Sequence, residues 1–340
     1  MSDLAPPLAA AASSEAASGN LALYDLQKPF VEPMLRVCRL TNTALDVLFY
    51  DVGALTKTLL AQHTVINTGA SRSAAFSGHP LQTLDLSAAT NPSGSIIVVN
   101  AQLAPFVRPP FRDMKQFMDY ANSDDGATLH TLAITGVGSS AYGAVAFAWD
   151  VSTAIGEPVA AVVPGYGLAD VVPQALGGWF GFGVYDALQS ATQRFLANFA
   201  PTLAMMGKEL ALSTPGRVPA ETGAPLFRHG SAASDDVHAI LRAVLRITRV
   251  VGHSKGALAI ENALRSLTAL RTQGISVVTL GCVIAEEFPQ IRYEQYLGWL
   301  DPLGILNSWN RPAEHRALTH HSTNSAIPLS MRVASCVAPR

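Results

Sequence analysis

The sequence predicts an α/β fold, a mainly parallel sheet covered by helices on both faces, and three observations predict it. From about residue 128 onward, short apolar runs alternate with helical stretches, the order of successive strand–helix–strand units. The composition is 49% hydrophobic and 14% charged over 340 residues, enough apolar side chain for a large core. The uncharged segment 131–149, TLAITGVGSSAYGAVAFAW, imitates a membrane span by hydropathy, yet it breaks at Gly136, Gly138, Ser139 and Ser140. It therefore reads as a buried strand, a Gly/Ser turn and a buried helix.

The elements follow in order. Residues 1–20 are small and uncharged for the most part and read as a flexible tail with no basic region or continuous apolar run of a secretory leader. Residues 21–94 form a helical N-terminal segment and linker. Within them, 24–62 carry Val31, Leu35, Cys38, Leu45, Leu48, Val52, Leu55 and Leu59 at three- and four-residue steps, with Pro29 and Pro33 near the start. That apolar stripe packs on the main domain or docks on a lipid or polymer surface. Residues 65–94, rich in Ser, Ala, Gly, Thr and Asn, read as loop. SIIVVN (95–100) reads as a strand and the proline-rich 105–114 as irregular. Then come a strand at 129–135, a helix at 139–155, a strand at 158–163, helical sequence over roughly 183–212, a helix at 234–246, a strand at 247–251, a helix at 257–270 and a strand at 275–284.

Charge and cysteines narrow the function classes. The net charge of −2, without a basic run, gives no footprint for nucleic acid. Cys38, Cys282 and Cys336 are widely spaced and match no metal-ligand pattern, so no metal is expected and reduced thiols in the cytoplasm are.

The most informative residues are Gly252-His253-Ser254-Lys255-Gly256. An apolar strand runs straight into them and a helix with Ile260, Leu264 and Leu267 on one face runs straight out. A strand that becomes a helix within so few residues forces the serine into a strained conformation with its hydroxyl at the apex, and flanking glycines let neighbouring segments approach. The helix N-terminus behind it favours developing negative charge.

This strand–GHSKG–helix unit resembles the nucleophile elbow of the α/β-hydrolases, most closely the lipase-like branch, over roughly residues 128–333. The resemblance implies an α/β-hydrolase domain over 95–340 with a helical insertion near 168–213, where Gly177-Gly178-Trp179-Phe180-Gly181-Phe182 would form a lid or acyl pocket. It implies hydrolysis of an ester of an apolar acyl compound through an acyl-enzyme on Ser254, without a cofactor. Its order of nucleophile, acid and base selects Asp301, the sole aspartate after Ser254, with Glu286 and Glu287 in reserve. The base is His320 or His321, which sequence cannot separate, with a slight preference for His320; His315, between Glu314 and Arg316, reads as solvated. The oxyanion donors implied are the N–H of Lys255 and that of Tyr166 or Gly165, in the loop after the strand 158–163.

Two other classes compete. Thr135-Gly136-Val137-Gly138-Ser139-Ser140 follows a strand and opens a helix as a dinucleotide loop would, but Ala141 stands where the third glycine belongs and no acidic residue ends the next strand. A non-catalytic binding protein docking through residues 24–62 is the second.

Overall fold

The computed structural model describes residues 43–68, 82–87, 91, 94–111, 113–136, 138–164, 232–265, 267–284, 287–308 and 311–338. Its centre is a seven-stranded sheet built from β3 (Ile96–Val99), β4 (Thr131–Ile134), β5 (Val159–Val162), β6 (Arg249–His253), β7 (Ser276–Leu280), β8 (Arg292–Gly298) and β9 (His315–Ala317), in the spatial order β3-β5-β4-β6-β7-β8-β9. β3 runs antiparallel to β5 and every other pair is parallel. A separate parallel ladder joins β1 (Thr64–Asn67) to β2 (Gln82–Asp85).

Residue alternation along the strands divides the core into two layers. Ile97, Val99, Ala133, Val159, Ala161, Val251 and Val278 face one layer, which holds α2 (Val52–Ala61), α4 (Ala141–Ile155) and α9 (Val333–Val337). Ile96, Val98, Leu132, Ile134, Ala160, Val162, Val250 and Val277 face the other, which holds α3 (Met114–Asn122), α5 (Ala232–Ala243) and α6 (Lys255–Arg265). The predicted mainly parallel α/β architecture with helices on both faces is therefore present. β6 occupies the middle of the sheet, and its residues Val250 and Val251 are fully buried. The segment 131–149 divides as read, into β4, a loop and α4, with Ser140 as N-cap accepting from the N–H groups of Tyr142 and Gly143. Among the described residues no helix is long and apolar enough to cross a membrane.

Four expectations change. The stripe over 24–62 is not one helix in its described part: α1 (residues 43–49) ends at Tyr50, and α2 restarts at Val52. The break has a physical cause, since Tyr50 turns its hydroxyl into the protein and the Asp51 carboxylate accepts from the backbone N–H of Ser325. Residues 65–94 are not all loop, because β1 and β2 pair there. The helix expected at 257–270 starts at Lys255 and stops at Arg265; a short α7 (Ala269–Thr272) follows, capped by Thr268. β8 and β9 were not anticipated; β8 alternates and carries Arg292 and Glu294, and β9 has only three residues. Residues 24–42, the helical stretch 183–212, the insertion near 168–213 with its aromatic run, and Cys38 lie outside the described residues, while Cys282 and Cys336 are buried.

The N-terminal helices belong to the core. Leu55 and Leu59 are each 1% exposed in the cluster shared with α4 and the sheet. Leu55→Ala is expected to lower the unfolding free energy by about 2–5 kcal/mol, the usual cost of an unfilled core site. Urea denaturation measures it, and a loss below about 0.5 kcal/mol, the range of surface substitutions, would show that α2 is only loosely attached.

Candidate active site

Because β4 and β6–β9 are parallel, their C-terminal ends share one edge of the sheet. The loops leaving that edge carry Gly136, Ser254, Gly281, Asp301 and His321. The chain passes from β4 outward to β5, then returns to the opposite side of β4 as β6. Gly136 and Ser254 thus stand at the point where strand order reverses, the usual ligand crevice of an open α/β sheet.

Ser254 occupies the single residue between β6 and α6 and has φ +53°, a left-handed conformation that is costly for a non-glycine residue. The turn depends on its two glycines. A Cβ at Gly252 would lie 2.6 Å from the Ile260 side chain, and one at Gly256 would lie 2.4 Å from the Ile134 carbonyl oxygen. The Ser254 N–H donates to the Leu280 carbonyl at 2.8 Å, tying the apex to the end of β7. Lys255 is the first residue of α6, where backbone N–H groups have no intrahelical acceptor.

Asp301 is fully buried and does two jobs. One carboxylate oxygen accepts from the Gly304 N–H at 2.6 Å, which caps α8 (Pro302–Asn307), with Pro302 at its first position. Both oxygens lie 2.9 Å from Nδ1 of His321. Nδ1 therefore carries the proton and donates it to the carboxylate, leaving Nε2 as an acceptor. His321 is 8% exposed and lies against Gly281, where a Cβ would come within 3.0 Å of Nδ1; Gly281 has φ +68°.

Of the two candidate histidines, His321 makes the pair with Asp301, against the slight preference for His320. His320 is turned elsewhere: its Nε2 lies 2.8 Å from the Pro328 carbonyl, to which it donates, and its Nδ1 accepts from the Ser322 N–H. His315 lies in β9, half-buried and stacked on Tyr296 with ring centres 4.6 Å apart, rather than solvated. Glu287 accepts from the Gln295 amide, and Glu286 lies outside the described residues, as do Gly165 and Tyr166.

The loop beside the serine is the one after β4. A Cβ on Gly136 would lie 3.3 Å from Cβ and 3.6 Å from Oγ of Ser254. Sequence reading weighed this Gly-x-Gly turn only against a dinucleotide loop; its place beside Ser254 follows from the pairing of β4 with β6, which no local motif encodes. The anion position at the N-terminus of α4, which a dinucleotide phosphate would use, is filled from within. The Asp46 carboxylate, from α1, accepts from the Ser139 hydroxyl and the Ser140 N–H, both at 2.8 Å.

The His321 loop is held by the same N-terminal segment. Carbonyls of Val47, Leu48 and Phe49 at the end of α1, which lack helical partners, accept from Asn324, Ser322 and Thr323. His253 is fully buried, and desolvation, with His321 beside it, lowers its pKa to about 3, so it is neutral.

Comparison of the chain with family models, curated proteins and solved structures found no match.

Burial raises the Asp46 carboxyl from 3.8 to about 7, against the downward pull of the donors at Ser139, Ser140 and Gly143. A folded value above the unfolded one means that the folded state holds this proton more tightly. The contribution to stability is thus full below about pH 4, falls as pH rises to about 7 and is constant beyond. Asp46→Asn should remove that slope, so its melting temperature relative to the wild type should climb between pH 4 and 7. A difference that does not change with pH would count against it.

Proposed function

We propose that this chain is a serine hydrolase of α/β-hydrolase architecture that cleaves a carboxylic ester of an apolar acyl compound through an acyl-enzyme on Ser254. The observation that carries the reading is the coincidence, at one sheet edge, of a strained serine between strand and helix with a buried Asp301–His321 pair.

In this reading Nε2 of His321 accepts the Ser254 hydroxyl proton as Oγ attacks the ester carbonyl. Asp301 fixes the tautomer and stabilises the imidazolium. The oxyanion is met by the Lys255 N–H at the head of α6 and by an N–H of the loop beyond Gly136, whose own N–H is engaged by Tyr50. His321 then protonates the leaving alcohol, and water, activated by the same imidazole, releases the acid. The loop after β4 supports this placement because it abuts Ser254. An apolar substrate is supported by the apolar residues that adjoin the pair. Exposed Trp299 and Leu300 precede Asp301, exposed Leu318 and Leu329 flank the His320–His321 loop, and Phe49 stands edge-on to His321 at 5.9 Å.

Ser254→Ala should lower turnover of a p-nitrophenyl ester by several orders of magnitude, on the order of 10⁶ in the best-studied case, while the melting curve is retained. A fluorophosphonate should label Ser254 and nothing else. His321→Ala should be nearly as damaging and His320→Ala mild. Full activity in Ser254→Ala, or in His321→Ala, would sink the assignment.

A further inference from the structure

Two loops and the end of β6 meet at the site, and one buried string of hydrogen bonds runs through them. The Gly136 N–H donates to the Tyr50 phenol oxygen at 3.0 Å. Tyr50 Oη lies 2.9 Å from Nδ1 of His253, and Nε2 of His253 lies 2.8 Å from the His321 carbonyl oxygen. A carbonyl only accepts, so Nε2 of His253 carries its hydrogen. The ring is neutral, so Nδ1 is an acceptor and Tyr50 donates to it. Every proton in the string then has one position. Tyr50 is 3% exposed and His253 is fully buried, so water does not compete for these groups.

We propose that Tyr50 is a positioning residue for the reaction: through its phenol oxygen it sets the loop at Gly136 beside Ser254, and through His253 it sets the main chain of the base His321. This rests on the hydrolase reading and goes beyond it, because neither Tyr50 nor His253 belongs to the nucleophile, base, acid or oxyanion donors. The geometry is specific. The string joins the loops after β4 and β9 to the last residue of β6, next to Ser254, and the spacing of these three decides whether serine, oxyanion loop and imidazole can meet one carbonyl carbon. The Tyr50 ring also packs edge-on to His253 at 5.3 Å and against Phe147 at 5.9 Å, so Tyr50→Phe removes one oxygen and keeps the filling. Tyr142 supplies an internal comparison: it too is a buried tyrosine donating to the N-terminal segment, at the Val52 carbonyl, yet it is not part of the string.

The experiment measures steady-state kinetics on a soluble p-nitrophenyl ester, melting temperature, and the ring NMR signals of His321 in ¹⁵N-histidine-labelled full-length chain. Tyr50→Phe should lower kcat by about 10- to 100-fold with KM within about 2-fold, the signature of misplaced reacting groups, and should shift the His321 signals. Tyr142→Phe should lose thermal stability but keep kcat and the His321 signals. His253→Gln retains a donor at the Nε2 position and His253→Asn does not, so the Gln variant should keep more kcat, which tests the string even where Tyr50→Phe fails to fold. Wild-type kcat with unmoved His321 signals in Tyr50→Phe overturns the proposal, as do equal losses in the two His253 variants or an equal kcat loss in Tyr142→Phe. A wild-type chain that a fluorophosphonate leaves unlabelled overturns the hydrolase reading instead, and the His321 signals then still decide whether Tyr50 holds that residue.

Discussion

The close approach of α6 to β4 at Gly256 governs the geometry of this edge of the molecule. No side chain fits there, because the Ile134 carbonyl lies within 2.4 Å of where a Cβ would stand. With α6 pressed that closely, the chain has one residue in which to turn from β6 into the helix, and Ser254 takes a positive φ to do it. That conformation costs on the order of 1–3 kcal/mol and persists because both flanks are fixed, one by pairing of β6 with β4 and β7, the other by the packing of Ile260 and Leu264 in the core. The apex is secured once more by the bond from the Ser254 N–H to Leu280. The strain is thus carried by the middle of the sheet, the part of the fold best able to hold it.

Polar groups are buried densely around that turn. Asp301, His253, Tyr50 and Asp46 all lie within the protein, where an unmet donor or acceptor costs about 1–3 kcal/mol. Each finds partners, and several partners are shared between tasks. Asp301 caps α8 with one oxygen while both oxygens receive His321. The two roles of that aspartate, helix cap and imidazole partner, are compatible because a carboxylate has enough lone pairs for both. Asp46 likewise accepts from the Ser139 hydroxyl and from the N–H of Ser140, the N-cap of α4, while drawing α1 against the loop beside Ser254.

Much of this was legible in the sequence, and the misses share a cause. Ser254 was readable because its signal is local: apolar strand, five residues, amphipathic helix. Asp301 was readable because it is the sole aspartate downstream within an apolar stretch. His321 could not be separated from His320, since adjacent residues differ only in which way the backbone points each ring, and that is set by Pro328 and Asp301 rather than by neighbours in sequence. The position of the turn after β4 beside Ser254 depends on strand order, and β4 lies beside β6 across more than a hundred residues of chain. β8 and β9 escaped because an edge-ward strand with charged residues, and a strand of three residues, carry no periodicity to detect. The kink at Tyr50 is invisible to a helical stripe because Tyr50 serves a distant partner.

The N-terminal segment is placed by its hydrogen bonds more than by its apolar stripe. Packing alone would place α2 anywhere along α4 that buries Leu55 and Leu59, since apolar burial is not directional. The polar contacts are directional, and they converge. Asp46 is fixed at the head of α4, Tyr50 at His253 and Gly136, Asp51 at Ser325, and the three last carbonyls of α1 at residues 322–324. Each ends on a loop that carries, or lies one to four residues from, Ser254, Gly136 or His321. A segment held only by oil-like contacts could slide by an ångström at little cost, whereas this one cannot slide without leaving several buried groups unpaired. The first helices and the last loop of the described chain are therefore a single structural unit, joined through the polar contacts of residues 46–51 to the loops beside Ser254 and His321.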